Sequence, residues 1–133
     1  MWPEEVERIA IFLRASGAEG SLEERPEEGD RPPGLLLEVH AYDCNGNVVV
    51  TLLPAGRIPD EAKVSRVARC DAGRRTSAPA FPYQGSKVFL DFAVLSADTV
   101  WLEIGSGRHI LGLAPGQLAR LTEAQASDLV AES

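Results

Sequence analysis

Three side chains that could bind a metal ion lie close together in the first half of the chain, namely His40, Asp43 and Cys44. A closed zinc site requires four ligands in a tetrahedral array, and the sequence offers no evident fourth ligand. Asp43 is better explained as a turn residue, Cys44 as a filler of a hairpin and His40 as a solvent-facing strand position. The sequence therefore predicts no metal site.

A second group that could carry chemistry is Gly105-Ser106-Gly107, with His109 close behind it. A serine nucleophile needs an adjacent base, and His109 is too near along the strand to be placed against Ser106. A hairpin turn explains the segment better. The chain also lacks the nucleophile-elbow, P-loop, dinucleotide-binding and zinc-finger patterns, so none of these chemistries is indicated.

A basic cluster lies in the middle of the chain and consists of Lys63, Arg66, Arg69, Arg74 and Arg75. Only one acid, Asp71, stands among these five cations, so the local balance is +4. Such a cluster could bind phosphate groups. It could equally be a solvated helix face that balances the acidic connector at 19–31, and the residues alone favour this second interpretation somewhat.

Composition limits the classes of partner. The chain has 133 residues, 44% of them hydrophobic and 25% charged, as expected of one ordinary globular domain spanning 1–133. A net charge of −7 argues against non-specific binding to DNA or to a membrane surface, but it permits a local basic patch that grips one end of an RNA. Apolar runs are too short to span a bilayer, and the N-terminus does not resemble a signal peptide, so we expect a cytoplasmic protein.

The two cysteines, Cys44 and Cys70, form no C-x-x-C motif. A framework of disulfides needs more cysteines than two, and a reducing compartment would keep both thiols free. The sequence therefore predicts reduced cysteines and no disulfide.

The elements that would position these residues alternate between helix and strand. A helix is predicted between Pro3 and Gly17, and another after Asp60, a favourable N-cap. Asn45-Gly46 between two apolar runs, Leu35–Tyr42 and Val48–Leu53, predicts a β-hairpin. Further strands are predicted at Val88–Val94, Val100–Ile104 and His109–Leu113, followed by a helix at Pro115–Leu121 and a last short helix opened by Thr122-Glu123-Ala124-Gln125. This order predicts an α+β domain with one mixed, mostly antiparallel sheet flanked by helices.

The order of features resembles the YbaK family, which includes free-standing prolyl-tRNA editing proteins and the editing insertion of bacterial prolyl-tRNA synthetase. The family's opening helix is matched by Val6, Ala10, Leu13 and Gly17, and the end of its first hairpin by Leu52 to Pro54, Gly56, Asp60 and Lys63. Later segments are similar at Val88–Asp91, Trp101–Gly107 and Leu111–Leu121.

The resemblance implies hydrolysis of the ester that joins a wrong amino acid to tRNA, without a metal or organic cofactor. The implied partners are the acceptor end of an aminoacyl-tRNA and a synthetase. It implies catalytic roles for the positions of Glu38 and His109. It implies substrate contacts at Ala78, Pro79, Pro82, Gly105, Ser106, Gly107 and Arg108, and it favours phosphate binding by the basic cluster.

Two positions depart from the family pattern. Glu38 stands where the family has a lysine, and a carboxylate would repel the acceptor-end phosphate. Ala78 replaces the loop glycine. Two hypotheses follow, namely a deacylase that uses loop N–H groups, His109 and the ribose hydroxyl of the substrate, and a non-catalytic binding module. If the first is correct, Glu38→Lys should raise the activity.

Overall fold

The computed structural model describes residues 2–24, 33–104 and 108–131. Within these ranges the chain is an α+β domain with three α-helices and eight strands, which confirms the predicted fold class. The elements in chain order are α1 (Glu4–Ala15), β1 (Ser21–Glu24), β2 (Leu35–Cys44), β3 (Asn47–Pro54), α2 (Glu61–Ala68), β4 (Arg75–Thr76), β5 (Lys87–Asp91), a 3₁₀ helix (Phe92–Ser96), β6 (Val100–Ile104), β7 (His109–Leu113), α3 (Pro115–Thr122) and β8 (Gln125–Ser127).

The strands form one mixed sheet in the order β1-β7-β6-β2-β3-β5-β8, and β4 makes a separate pair with β2. The pairs β1–β7, β2–β3, β2–β4 and β6–β7 are antiparallel, whereas β2–β6, β3–β5 and β5–β8 are parallel. The five strands predicted from the sequence therefore share one sheet, as expected.

The β2–β3 hairpin forms for the reason predicted from the sequence. Asn45 and Gly46 both have positive φ, 55° and 89°, as a two-residue type I′ turn requires. The Asp43 side chain accepts a hydrogen bond from the Gly46 N–H at 2.8 Å, which confirms its role as a turn residue. The turn fixes the register, with Cys44 opposite Asn47.

Each face of the sheet packs against a different set of helices, because side chains alternate along the strands. One face, with Leu37, Ala41 and Leu52, packs with α1, α3 and the 3₁₀ helix. The other face, with Tyr42 and Leu53, packs with α2 and Leu129. We call these the α1 face and the α2 face.

The prediction of free cysteines is wrong. Cys44, at the end of β2, and Cys70, just after α2, form a disulfide with a Cα–Cα distance of 5.7 Å. Tertiary packing of α2 on the hairpin brings together two residues 26 positions apart, which no local pattern could show.

Two element predictions also need correction. The segment from Thr122 ends α3 instead of opening a helix, since Glu123 adopts the left-handed conformation and Gln125–Ser127 pairs with β5 as β8. The predicted strand at 88–94 stops at Asp91, whose side chain caps the 3₁₀ helix through the Ala93 N–H at 3.0 Å.

No helix among the described residues is both long enough and apolar enough to span a membrane.

Candidate functional site

The sheet splits along one edge of β2. That edge pairs with β6 at Leu35 and Leu36 and with β4 at Ala41 and Tyr42. No strand of the described residues pairs with 37–40 on that edge. The Asp43 N–H donates across the same edge to the Arg74 carbonyl at 2.9 Å. Successive residues of a strand direct their backbone N–H and C=O groups to alternate edges. Val39, four residues before Asp43, therefore directs both groups to the same edge as Asp43 does, into the gap.

A cavity of about 410 Å³ lies at this gap. The sheet contributes Val39, Glu103 and Ile104 to its lining, and the loop after β4 contributes Ala78, Pro79, Ala80, Phe81 and Tyr83. Its remaining wall is the first turns of α1, through Glu5, Arg8 and Ile9. The cavity therefore combines an apolar floor, exposed backbone and a few charged groups, as small-ligand sites commonly do.

Aromatic packing anchors the far end of the cavity-lining loop. The Phe81 ring makes edge-to-face contacts with Tyr83 at 5.7 Å and with Phe12 of α1 at 6.1 Å between centroids. The Tyr83 N–H donates to the Ala80 carbonyl at 2.8 Å. Burial raises the pKa of the Tyr83 hydroxyl, so this group stays protonated at neutral pH. These contacts of Phe81 and Tyr83 hold the loop in place as one wall of the cavity.

The two positions assigned to catalysis by resemblance lie on opposite faces. The Val39 side chain lines the cavity, so Glu38, its neighbour on β2, points towards the α2 face. There one Glu38 carboxylate oxygen accepts the Gly56 N–H at 3.1 Å, and the other lies 3.5 Å from His40 Nε2. The structure thus places Glu38 away from the cavity.

His109 lies on the cavity side of the sheet. It is the register partner of Ile104, which lines the cavity, and directly paired residues project to the same face. The His109 ring packs on Trp2 with centroids 5.3 Å apart. Its Nδ1 is buried without a hydrogen-bond partner among the described residues. His109 is therefore beside the cavity and one strand removed from it.

The remaining candidate positions divide between cavity and surface. Ala78 and Pro79 line the cavity, whereas Pro82 lies in the following turn and does not. Arg108 is exposed beside His109. The predictions at Gly105, Ser106 and Gly107 lie outside the described residues.

The basic cluster lies along α2 and the segment that leads to β4. Arg66, Arg69, Arg74 and Arg75 are exposed. Lys63 instead contacts Asp128 at 2.9 Å and the Val130 carbonyl at 2.8 Å, which fastens α2 to the C-terminal segment. The α2 layer covers the face of the sheet opposite the cavity.

The interpretation of His40 as solvent-facing is wrong. Its side chain is only 20% exposed. His40 Nδ1 receives a 2.8 Å hydrogen bond from Arg75, and the Arg75 guanidinium lies 4.7 Å above the Tyr42 ring centroid. The signal that could have revealed this was the alternation of Glu38, His40 and Tyr42 on one face of β2.

Other cavity residues carried no signal in the sequence. No pattern marked Glu5, Arg8 or Glu103 as cavity residues. Ile9 and Ile104 fitted the apolar positions of a helix and a strand, and so indicated only a core.

Known proteins resemble this chain in their fold but not in their sequence. No family model matches the chain, and no curated protein matches it significantly. A solved protein described as a candidate trans-editing enzyme for prolyl-tRNA synthetase is 16% identical, with a TM-score of 0.76 over 99% of this chain and 100% of its own. A scaffold from computational epitope grafting is 17% identical, with a TM-score of 0.81 over 99% and 100%. A hypothetical protein is 15% identical, with a TM-score of 0.78 over 93% and 99%. At these identities the chain shares the fold of a candidate tRNA-editing enzyme.

Proposed function

We propose that the cavity binds the aminoacyl group of a mischarged tRNA and that the protein hydrolyses its ester bond. The observation that carries the proposal is the cavity itself, which lies between α1 and the Ala78–Ala80 loop on a fold shared with a candidate editing enzyme. The similarity of motifs to the YbaK family supports the same activity. A volume of about 410 Å³ suits a small amino acid with part of the terminal ribose.

The proposed reaction requires little beyond positioning. A water molecule gives up one proton to a base as its oxygen adds to the ester carbonyl carbon, giving a tetrahedral oxyanion. The bond from that carbon to the ribose oxygen then breaks, the ribose oxygen takes up a proton, and the free amino acid leaves. Peptide N–H groups aimed at the oxyanion stabilise the transition state without any metal.

The backbone around the cavity offers such donors. The Val39 N–H points into the gap in the sheet, and the Ala78–Ala80 loop brings further peptide groups to the opposite wall. Of the two histidines, only His109 lies on the cavity side, one strand away from the lining, so we assign it to proton transfer relayed through a water molecule or the ribose hydroxyl. Arg108 and the exposed arginines of the basic cluster are the candidate phosphate contacts.

This role implies particular partners and a particular compartment. The acceptor end of an aminoacyl-tRNA is the ligand, and the synthetase that mischarges it is the partner protein. Because tRNA is charged in the cytoplasm, the proposal places the protein there. It invokes no cofactor.

A second candidate function is a non-catalytic module that holds aminoacyl-tRNA or a protein without turnover. The position of Glu38 favours it, because the site that carries a lysine in the YbaK family here holds a carboxylate turned away from the cavity.

The first test is hydrolysis of a panel of mischarged tRNAs, including alanyl- and cysteinyl-tRNA(Pro), with tRNA binding measured alongside. Ala78→Trp should fill the cavity and abolish hydrolysis, because Ala78 lines the cavity. Ala78 is also exposed, so the larger side chain replaces no buried core residue. Ala55→Trp is the matched control, since Ala55 is also exposed and lies outside the lining.

The outcomes separate the two candidates. Hydrolysis by the wild type and Ala55→Trp but not by Ala78→Trp supports editing at the cavity. Binding without hydrolysis of any tRNA in the panel supports the non-catalytic module. Equal hydrolysis by both variants would show that the cavity is not the site.

A further inference from the structure

A chain of three polar side chains crosses the α2 face of β2. Arg75 Nη1 lies 2.8 Å from His40 Nδ1, and His40 Nε2 lies 3.5 Å from Glu38 Oε2. A guanidinium only donates hydrogen bonds, so Nδ1 must accept, and the neutral ring then carries its proton on Nε2. This nitrogen lies near Glu38 but is buried without a hydrogen-bond partner among the described residues. The Gly56 N–H fixes the other Glu38 oxygen at 3.1 Å.

These contacts hold β4, a strand of only two residues, against β2. Its ladder consists of the pairs Ala41–Thr76 and Tyr42–Arg75. The Arg75 side chain adds the His40 hydrogen bond and the cation–π contact with the buried Tyr42 ring. The Arg75 side chain thus adds to this short ladder and to the hydrogen bond from the Asp43 N–H to the Arg74 carbonyl.

The position of β4 sets the position of the cavity wall. Only Ser77 separates Thr76 from Ala78, the first cavity-lining residue of the loop. At the other end the loop is anchored by Phe81. Releasing Arg75 would therefore free the near end of the loop while its far end stays in place.

Protonation of His40 would break this anchor. Burial and then the Arg75 charge lower the pKa of His40 from its ordinary value of 6.5, against the opposing effect of Glu38. The other groups at this place are Tyr42 beneath the guanidinium and Thr51 of β3, whose hydroxyl donates to the His40 carbonyl. Burial raises the pKa of the Tyr42 hydroxyl, and the charge of Glu61 on α2 also raises it. Once charged, His40 can no longer accept from Arg75, and the two cations repel.

We propose that Glu38, His40 and Arg75 form a pH-sensitive clamp on the cavity-lining loop, with His40 as a positioning residue that releases β4 in acid. The clamp holds the wall of the site proposed above, so its effect on activity rests on the proposed function. Its effect on the loop does not. The clamp is released in acid because the pKa of His40 is lowered in the folded protein. The clamped state is complete above pH 6.5 and is lost as the pH falls through that lowered pKa.

The test is amide hydrogen exchange between pH 5 and 8, corrected for intrinsic exchange rates, at Ala41, Arg75 and Thr76 of the β2–β4 ladder. The loop amides that follow, those of Ser77, Ala78 and Ala80, are measured alongside. In the wild type, protection should fall as the pH drops below 6.5, by at most about tenfold per pH unit, and should level off below the pKa of His40 in the clamped state. Amides of β3 should keep their protection and serve as the internal control for folding.

Three substitutions separate the titration of His40 from its contact with Arg75. His40→Asn keeps an acceptor near the Nδ1 position and cannot take up a proton, so its loop protection should be independent of pH. Arg75→Gln keeps a donor and removes the repulsion, so its pH dependence should be weaker than that of the wild type. His40→Ala should lose loop protection at every pH.

The clamp and the proposed function can fail separately. Loop protection that ignores pH in the wild type, or that falls in acid equally in His40→Asn, would overturn the clamp. A normal exchange pattern in a protein that hydrolyses no mischarged tRNA would leave the clamp standing and remove only the proposed activity. If both hold, the deacylation rate of the wild type should fall in acid more steeply than that of His40→Asn.

Discussion

Adjacent residues of β2 serve opposite sides of the sheet. Val39 lines the cavity, while Glu38 and His40 on either side of it reach Gly56 and Arg75 on the α2 face. A change of one position in an alignment of this strand therefore exchanges a cavity residue for one of the polar chain. The resemblance could assign Glu38 a catalytic place only by its position in the motif, because no sequence feature shows how the gap between β4 and β6 opens.

The position of Glu38 changes the expected effect of Glu38→Lys. An ammonium there would lose the hydrogen bond from Gly56 and would stand beside His40 and Arg75 as a further cation. We therefore expect no gain in deacylation and a decrease of about 1 kcal/mol in the free energy of unfolding. Thermal unfolding and the alanyl-tRNA assay, run together, measure both effects.

Glu38→Gln is the matched control for this substitution. A glutamine keeps an acceptor for the Gly56 N–H and adds no positive charge, so its melting temperature should stay close to that of the wild type. A clear rise in hydrolysis with lysine but not with glutamine would show that the side chain at 38 reaches the substrate after all.

At the scale of elements, local signals were sufficient where they were strong. Asn45-Gly46 forms the hairpin turn, and Asp60 caps α2 through the Ala62 and Lys63 N–H groups at 2.9 and 3.3 Å. The short strands β1, β4 and β8 escaped prediction because each has four residues or fewer and little alternation of buried and exposed positions. Their pairing is determined by neighbouring strands.

The end of α3 shows how one motif can belong to either terminus of a helix. Thr122 and Gln125 have the spacing of a capping box, but the Thr122 hydroxyl donates to the Leu118 carbonyl at 2.7 Å inside the last turn. Glu123, with φ of 55°, then ends the helix. The choice between a start and a stop depends on β8 pairing with β5, a contact distant in sequence.

The disulfide between Cys44 and Cys70 should stabilise the domain. It joins the hairpin to the end of α2 across a separation of 26 residues, and restricting a loop of that length in the unfolded chain is worth about 3.5 kcal/mol. We expect reduction to lower the melting temperature by roughly 10 °C. Thermal unfolding with and without reductant measures the effect.

A double substitution controls for effects of the reductant on other parts of the protein. Cys44→Ala with Cys70→Ala should melt near the temperature of the reduced wild type and should not respond to reductant. Unchanged melting of the wild type on reduction, with loss of the bond verified by thiol titration, would show that α2 packs on the sheet without help from the bond. Thiol titration of protein taken directly from cells would show whether the bond persists in a cytoplasm, where disulfides are rare.

At the scale of the whole molecule, the cavity and the basic cluster belong to opposite layers. The cavity lies on the α1 face, whereas Arg66 and Arg69 lie on and just after α2, across the sheet. The two are connected through β4, where Arg75 ends the basic segment and the loop towards the cavity begins. An RNA that reached both would have to pass this edge of the sheet, and Arg74 and Arg75 stand there.

If the protein binds tRNA as proposed, this arrangement predicts that binding depends on the arginines of the α2 layer despite the net charge of −7. Arg66→Glu with Arg69→Glu should weaken tRNA binding, because removing a phosphate contact also removes the counterion release that accompanies it. The slope of log K against log salt should become shallower by about 0.7 to 0.9 for each phosphate that the variant no longer neutralises. Lys63 should contribute less, since its ammonium already contacts Asp128 and the Val130 carbonyl.

The control must change the net charge equally at a different place. Arg14→Glu with Lys87→Glu does so, because both residues are exposed and lie outside the cluster. If the cluster is the binding surface, the control pair should lower affinity slightly and leave the salt slope unchanged, whereas the Arg66 and Arg69 pair should reduce both. If the two pairs weaken binding equally, net charge alone governs the association. If the unmutated protein shows no salt-dependent binding of tRNA, the cluster is a solvated helix face that balances the acidic remainder of the surface.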